Sequence, residues 1–298
     1  MQLFNPPARG MSRLDVILLV AVGTLVTWFV YRLQVHLDYD WGWDAIPQYL
    51  VRQDVDGSWV PNLLLQGLLT TIRLSLWSML LATLIGTCMG VFRVSPSLFR
   101  RLNGQFYVGL VRNLPPLVLV FIFYFFISAQ VMPLFGIDTF VRNAPEAVRD
   151  WMVLLFAPPE LMVEFLSAVL TLAIFEGAYI TEIVRAGIQS LEQGQWDGAR
   201  ALGMSRFQQL RWVILPQAFQ RIVPPLGGQF ISTIKDSAIV SVISIQELTF
   251  QGMEVMASTY LTLEVWLTVT LLYFLLTFSC SLGVRRLELY VLRNEVRE

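Results

Sequence analysis

Charged side chains and the residues that usually carry catalysis are scarce in this chain of 298 residues. Charged residues make up 14% of the chain, whereas soluble domains carry about 25%. One histidine, His36, and two cysteines, Cys88 and Cys280, are too few for a zinc site of the usual type. No nucleophile–base pair is evident either, so the sequence predicts neither a catalytic residue nor a metal site.

The chain contains a single lysine, Lys235, and this excludes one large class of nucleotide-binding protein. A Walker A loop needs Gly-x-x-x-x-Gly-Lys-Ser/Thr, but Lys235 is followed by Asp236. The chain therefore has no P-loop of its own, and we expect it to bind no cofactor. No strong basic tract is present to favour nucleic acid as a partner.

Long apolar runs are what the sequence has instead, since 55% of its residues are hydrophobic. Six runs are long enough to cross about 30 Å of hydrocarbon at about 1.5 Å per helical residue. They are residues 14–32, 62–92, 106–131, 161–189, 213–245 and 261–284. We therefore predict an all-α fold, a polytopic membrane helical bundle of about six transmembrane helices.

The first apolar run resembles a signal peptide because Arg9 and Arg13 precede it. It is longer than the usual signal core, and no small-residue cleavage site follows it. We interpret it as a retained membrane anchor.

The distribution of arginine predicts the orientation of the bundle, because basic residues accumulate in cytoplasmic loops. Most of the arginines lie before run one, between runs two and three, between runs four and five, and after run six. We therefore expect both termini and the loop between runs four and five to face the cytoplasm. The intervening segment 133–160 is predicted to be a solvated loop on the opposite side.

Between runs four and five, the pattern predicts two short cytoplasmic helices. The apolar residues of the first recur at helical spacing: Trp196, Ala199 and Leu202. Gly203 suits the end of that helix, and Ser205 with Gln208 has the spacing of a capping box that starts the second. Isolated helices this short are marginal in water, so they must dock on a partner or pack on the membrane or the bundle.

Four motifs resemble the permease subunits of ABC importers for polar amino acids, the histidine, glutamine and glutamate–aspartate type with the type I importer fold. The first is Asp197-Gly198-Ala199, then Gly203 and Val213-x-Leu215-Pro216, which is similar to the EAA loop of these permeases. The others are Arg112–Leu117, Ala178–Ile188 and Lys235–Ile243. Together the motifs cover roughly residues 62–290 in the order and topology of the family.

The resemblance implies a division of the chain and a set of partners. The expected regions are 1–34, a cytoplasmic N-terminus with an added anchor helix; 35–60, a periplasmic segment; 61–290, the permease domain; and 291–298, a cytoplasmic tail. The implied partners in the bacterial inner membrane are a cytoplasmic ATPase subunit carrying ATP and Mg²⁺, a second permease, which is a copy or a paralogue, a periplasmic solute-binding protein, and lipid.

The resemblance also implies a coupling helix that docks on the ATPase. Its residues here are Trp196, Asp197, Gly198, Ala199, Leu202, Gly203, Met204 and Ser205. This sequence has Asp197-Gly198 where the family pattern has Glu-Ala. Aspartate is one methylene shorter, and glycine costs about 0.5–1 kcal/mol relative to alanine inside a helix, so the docking helix is expected to be looser.

Ionisable residues inside apolar runs are the candidates for the solute pathway, because they cost about 2.5–3.5 kcal/mol on insertion scales unless partnered or hydrated. They are Arg73, Arg112 and Glu176, to which we add Tyr179. A cavity holding Arg73 or Arg112 together with Glu176 would meet both charges of an amino acid, whereas structural pairing is the other explanation for these residues and the one we favour. Structural or gating roles are expected for Glu182, Arg185, Pro216, Lys235 and Asp236.

The function that follows is translocation of polar or charged amino acids by alternating access. Two alternatives remain: a permease for another small solute, and a self-sufficient secondary transporter or channel. A secondary transporter or channel would need no separate ATPase, which distinguishes it from the other two.

Overall fold

The computed structural model describes residues 12–36 and 39–295, which form two units, Met1–Gly42 and Trp43–Glu298. The first unit contains one helix, α1 (Arg13–His36). Ser12 N donates to Asp15 Oδ2 at 2.8 Å and Asp15 N donates to Ser12 Oγ at 3.1 Å, a reciprocal cap that starts the helix. The helix coincides with the first apolar run, whereas Arg9 lies outside the described residues.

The second unit holds the remaining elements, beginning with a short hairpin. They are α2 (Ile46–Leu50), β1 (Val51–Gln53), β2 (Trp59–Pro61), α3 (Leu63–Arg93), α4 (Leu98–Asn113), α5 (Pro116–Phe126), α6 (Ile137–Asn143), α7 (Glu146–Leu155), α8 (Met162–Gln189), α9 (Gln193–Ala201), α10 (Arg206–Gln208), α11 (Leu215–Asp236), α12 (Leu248–Thr259) and α13 (Thr262–Glu295). A 3₁₀ helix, Ser237–Ile243, joins α11 to the turn before α12. The strands pair antiparallel, with Arg52 opposite Val60.

Four stretches of the described chain are long and apolar enough to cross a membrane: Leu63–Arg93, Pro116–Phe135, Pro159–Gln189 and Thr262–Tyr290. They match the second, third, fourth and sixth apolar runs. The fifth run contains α11, which is helical but is not among the four. Its polar residues, such as Gln220, Arg221 and Gln229, lower its apolar content.

One local expectation is wrong, and two features refine the predicted runs. The third run is interrupted at its proline pair, because α4 ends before Leu114–Pro115 and Pro116 starts α5, as proline favours a first helical turn over a helix interior. The segment 133–160 is not simply a solvated loop, since α6 and α7 occupy it. The last helix, α13, continues to Glu295, beyond its apolar stretch, which ends at Tyr290.

The centre of the second unit is the parallel pair α3 and α8. A Cβ added at Gly86 would lie 2.5 Å from Ile180 Cγ2, and one at Gly90 would lie 2.6 Å from Val184 Cβ. Only glycine permits backbones to approach so closely at these positions. Small residues on α3 therefore fix how deeply α8 seats against it.

A buried carboxylate, Glu247, joins α12 and α13 to α3. Glu247 is fully buried and caps α12 by accepting from Phe250 N at 2.9 Å. Its Oε2 accepts from Tyr273 of α13 at 2.6 Å and from Thr71 of α3 at 3.4 Å. Since each partner comes from a different helix, Glu247 links α3, α12 and α13.

Candidate functional site

The segment expected to form a coupling hairpin is a short helix followed by a sharp turn. Gly203 follows α9 with a φ of 74°, the left-handed conformation that glycine adopts most easily. Ser205 N donates to Gln208 Oε1 at 2.8 Å and Gln208 N donates to Ser205 Oγ at 3.4 Å, so the capping box is confirmed. The second helix, α10, starts after Ser205 as predicted and continues through a π turn, Gln209–Ile214, into α11.

Side-chain and backbone bonds tie α9 to the helical stretch that becomes α11. Met204 N donates to the Ala199 carbonyl at 3.2 Å, and Gln209 Nε2 donates to the Met204 carbonyl at 2.7 Å. Gln217 Nε2 donates to Gln195 Oε1 at 3.1 Å. Ala199 is 4% exposed, which places one side of α9 against the protein. The hairpin is thus fastened to α11 at several points.

The opposite side of the hairpin is exposed. Its exposed residues from the expected coupling set are Asp197, Gly198, Leu202, Gly203 and Ser205. Leu202 is 77% exposed, an unusual position for a large apolar side chain at the tip of a hairpin. Trp196 is half-buried beneath the guanidinium of Arg206, 5.9 Å from its ring centre, and Asp197 pairs with Arg200 at 3.5 Å.

An ion-pair network lies where α3 and α8 approach this hairpin. Glu182 pairs with Arg185 at 2.7 Å, as its i, i+3 spacing allows, and also with Arg93 at 2.8 Å. A hydrogen bond close to this network joins α11 to the end of α8, because Arg221 donates to the Ser190 carbonyl at 2.5 Å. Pro216, the other residue expected to have a structural role here, lies in the first turn of α11. Sequence analysis missed Arg93, because its partner lies on another helix.

The four pathway candidates do not gather in one cavity. Arg112 lies over the ring of Tyr179, 5.4 Å from its centre, while Glu176 accepts from Gln229 Nε2 at 2.6 Å. Arg73 lines a different space at the start of α3. Of the two arginines that could have shared a cavity with Glu176, the helix register separates Arg73 from it.

That register follows from three contacts between α3 and α8. Ser78 Oγ donates to the Val169 carbonyl at 3.3 Å, a Cβ on Gly86 would lie 3.0 Å from the Gly177 carbonyl, and one on Gly90 would lie 3.1 Å from the Thr181 carbonyl. The same register sets Arg73 level with Glu164. Glu176 is twelve residues further along α8, about 18 Å at the helical rise. Arg73 and Glu176 therefore cannot hold the same small head group in this conformation.

Glu176 is fully buried between α8 and α11, and one of its oxygens is unused. Oε1 has no hydrogen-bond partner among the described residues. The carboxyl of Asp236 interacts with Glu176, whereas its neighbour Lys235 is exposed. Gln229, the partner of Glu176, was not predicted, although a polar residue in an apolar run signals such a role.

No group of three or more histidine, cysteine, aspartate or glutamate residues in the described ranges is arranged to hold a metal ion. Residues 82–291 match the family described as binding-protein-dependent transport system inner membrane component.

Two relatives of known name align with this chain over nearly their whole length. The glutamine transport system permease protein GlnP of Escherichia coli (strain K12) is 32% identical over 254 residues, 85% of this chain and 97% of the relative. The glutamate/aspartate import permease protein GltJ of the same organism is 30% identical over 252 residues, 85% of this chain and 95% of the relative.

Solved structures show the same architecture. A crystal structure of an amino acid ABC transporter with histidines has a TM-score of 0.58 and 31% identity, covering 76% of this chain and 92% of that one. The inward-facing MetNI methionine ABC transporter has a TM-score of 0.56 and 18% identity, covering 77% of this chain and 96% of that one. At this identity the similarity supports the fold but not the function.

Proposed function

This chain belongs to the family of binding-protein-dependent transport system inner membrane components, and from that premise we propose that it is the permease subunit of an ATP-driven importer for polar or charged amino acids. The exposed hairpin fastened to α11 carries this proposal, because it offers a firm contact for a motor outside the membrane. The relatives named for glutamine and for glutamate and aspartate support the solute class.

The proposed partner at the hairpin is a cytoplasmic ABC ATPase that binds ATP and Mg²⁺. Leu202 presents apolar surface at the tip, and the Asp197–Arg200 pair borders it with charge. Apolar anchors ringed by polar groups are typical of protein interfaces. The bonds from Gln209 and Gln217 would carry a displacement of α9 directly into α11.

The proposed orientation places the hairpin and both termini in the cytoplasm. The arginines near the hairpin, Arg200, Arg206 and Arg211, support this placement by the positive-inside tendency. The starts of α3 and α8 then face the periplasm, where a solute-binding protein would deliver the amino acid.

A second permease subunit, either a copy or a paralogue, is the remaining proposed partner. Its support comes from α11, whose Arg221 and Lys235 are exposed in the isolated chain. Charged groups facing hydrocarbon are costly, so this surface is better matched to protein or to a hydrated pathway than to lipid.

The experiment is a comparison of Leu202→Asp with Leu98→Asp in the reconstituted importer. Leu98 is also exposed, at 58%, and begins α4 after a loop of the same proposed orientation, so it is a matched control. Capture of the partner ABC ATPase and ATP-dependent amino-acid uptake into proteoliposomes should both be lost in Leu202→Asp and kept in Leu98→Asp.

Two results would contradict the proposal. Leu202→Asp retaining stoichiometric ATPase and normal uptake would remove the docking role of the hairpin. Uptake by the wild-type permease without any ATPase would instead identify a secondary transporter or channel, and uptake confined to other solutes would correct the substrate class.

A further inference from the structure

A cavity of about 340 Å³ opens at the end of the bundle where α3 and α8 begin. Its walls come from α3, from the end of α7 through the start of α8, from the turn between Ser237–Ile243 and α12, and from α12 itself. The polar residues that line it are Gln66, Thr70, Arg73, Glu164, Ser244, Gln246 and Gln251. Leu69, Leu161 and Phe165 supply apolar surface. This volume is in the range of small-molecule sites.

Two opposite charges face this cavity without meeting each other. Arg73 is half-buried and Glu164 is exposed, and neither forms an ion pair within the described part of the chain. The register of α3 against α8 sets them at the same level. A partly desolvated guanidinium favours a carboxylate that it can bind through two N–H groups, and the cavity that both charges line has the volume for such a ligand.

A third group in the cavity wall lacks a partner. Gln251 is 4% exposed, and its Oε1 accepts no hydrogen bond from any described residue. Its side chain is held in place by contact with the backbone of α3, since a Cβ on Gly67 would lie 2.9 Å from Gln251 Cγ. Buried carbonyl oxygens are almost always bonded, so this atom calls for an N–H donor from a ligand.

We propose that this cavity binds the main-chain groups of a free amino acid, with Arg73 holding the α-carboxylate and Glu164 and Gln251 Oε1 accepting from the α-ammonium. This rests on the proposed function and adds an entry site for the solute at the end opposite the coupling hairpin. Because both charges of the zwitterion are engaged, the site selects free amino acids over simple amines and simple acids.

The site is separate from Glu176, which lies about 18 Å further along α8. An amino acid bound at Arg73 therefore does not contact Glu176 in this conformation. The entry site recognises groups that all amino acids share.

The test measures binding of L-glutamine, L-glutamate, L-aspartate, L-histidine and L-arginine to the full permease–ATPase complex in nanodiscs, with wild type, Arg73→Gln and Glu164→Gln. Loss of one charge-assisted contact should weaken binding roughly ten- to a hundredfold. Two substitutions outside the cavity are controls that should bind normally. They are Arg52→Gln in strand β1 and Glu160→Gln, a residue that lines a different pocket.

Analogues assign each charge to its partner. For the best-bound solute, the Arg73→Gln defect should vanish with the analogue lacking the α-carboxylate, and the Glu164→Gln defect should vanish with the analogue lacking the α-amine. A merely structural role would weaken all ligands equally. Equal defects towards both analogues, or normal binding in both variants, would overturn the proposal.

A labelling experiment covers the case in which the charge variants fail to fold. Thr70→Cys, in a chain with Cys88 and Cys280 replaced by alanine, should react with a membrane-impermeant maleimide added from the periplasmic side. The bound amino acid should slow that reaction at least tenfold. Unchanged labelling with ATP-driven uptake intact would refute the entry site alone, whereas absence of uptake of every amino acid would refute the proposed function.

Discussion

Replacing Gly187 with alanine tests the joint between α8 and α11 most directly. The added Cβ would lie 2.3 Å from Ile222 Cγ1 and 3.2 Å from Ile222 Cδ1, whereas carbon atoms in good contact are about 3.5–4.0 Å apart. Ile222 is 7% exposed, so its side chain has little room to move away. Such overpacking costs about 1–3 kcal/mol, more than the gain from replacing a helical glycine.

The expected result is a melting temperature lowered by about 2–10 °C in the purified complex. Uptake should fall as well, since α11 would be displaced from α8 close to the hairpin. Gly283→Ala is the matched control, because Gly283 lies in α13 and a Cβ there would meet no atom within 4 Å. That variant should melt at or slightly above the wild-type temperature.

A double substitution separates this steric account from a general intolerance of change. Ile222→Ala alone should cost about 2–5 kcal/mol by leaving a cavity. With Gly187→Ala the added methyl occupies part of that space, so the double variant should be about 1–3 kcal/mol more stable than the sum of the two single effects predicts. Strict additivity, or a Gly187→Ala variant as stable as wild type, would refute the reasoning.

Two further substitutions probe the hairpin and its ion pairs. Gly198→Ala should stabilise α9 by about 0.5–1 kcal/mol, because a Cβ at this position meets nothing within 4 Å. The measurement is amide hydrogen exchange across residues 193–201, which should become slower. Faster exchange would contradict this account. Glu182→Gln removes both ion pairs to Arg93 and Arg185 and should cost about 1–3 kcal/mol in thermal unfolding. The difference from wild type should shrink in high salt, and a salt-independent difference would mean that packing dominates.

Features set by neighbouring residues could be predicted from the sequence. The length of an apolar run decides whether a helix can cross a bilayer, which is why α3 and α13 lie where their runs indicated. The capping box of Ser205 and Gln208 needs only a three-residue spacing, and so does the pair Glu182–Arg185. Each of these interactions closes within a single helical turn.

Features that depend on how helices pack against one another could not be predicted. The bond from Gln229 to Glu176 joins α11 to α8, and the pair Arg93–Glu182 joins α3 to α8. Each follows from a helix register that no local pattern specifies: Gly86 contributes to the register of α3 against α8, and Gly187 to that of α8 against α11. The register of α3 against α8 separates Arg73 from Glu176, which chemistry alone would have placed together.

The arrangement of contacts indicates which parts of the bundle move relative to each other. Helices α3 and α8 interlock along most of their length, through contacts at Ser78, Gly86 and Gly90, so they behave as one body. The hairpin is fastened instead to α11, and the far end of α11 leads through Ser237–Ile243 to the turn that lines the Arg73 cavity. A displacement of the hairpin would therefore shift α11 and this turn against the α3–α8 pair. One movement would then change both the surroundings of Glu176, between α8 and α11, and the width of the cavity at Arg73. Sliding of α11 along α8 would have to shift three contacts described above: Gly187 against Ile222, Gln229 with Glu176, and Arg221 with the Ser190 carbonyl.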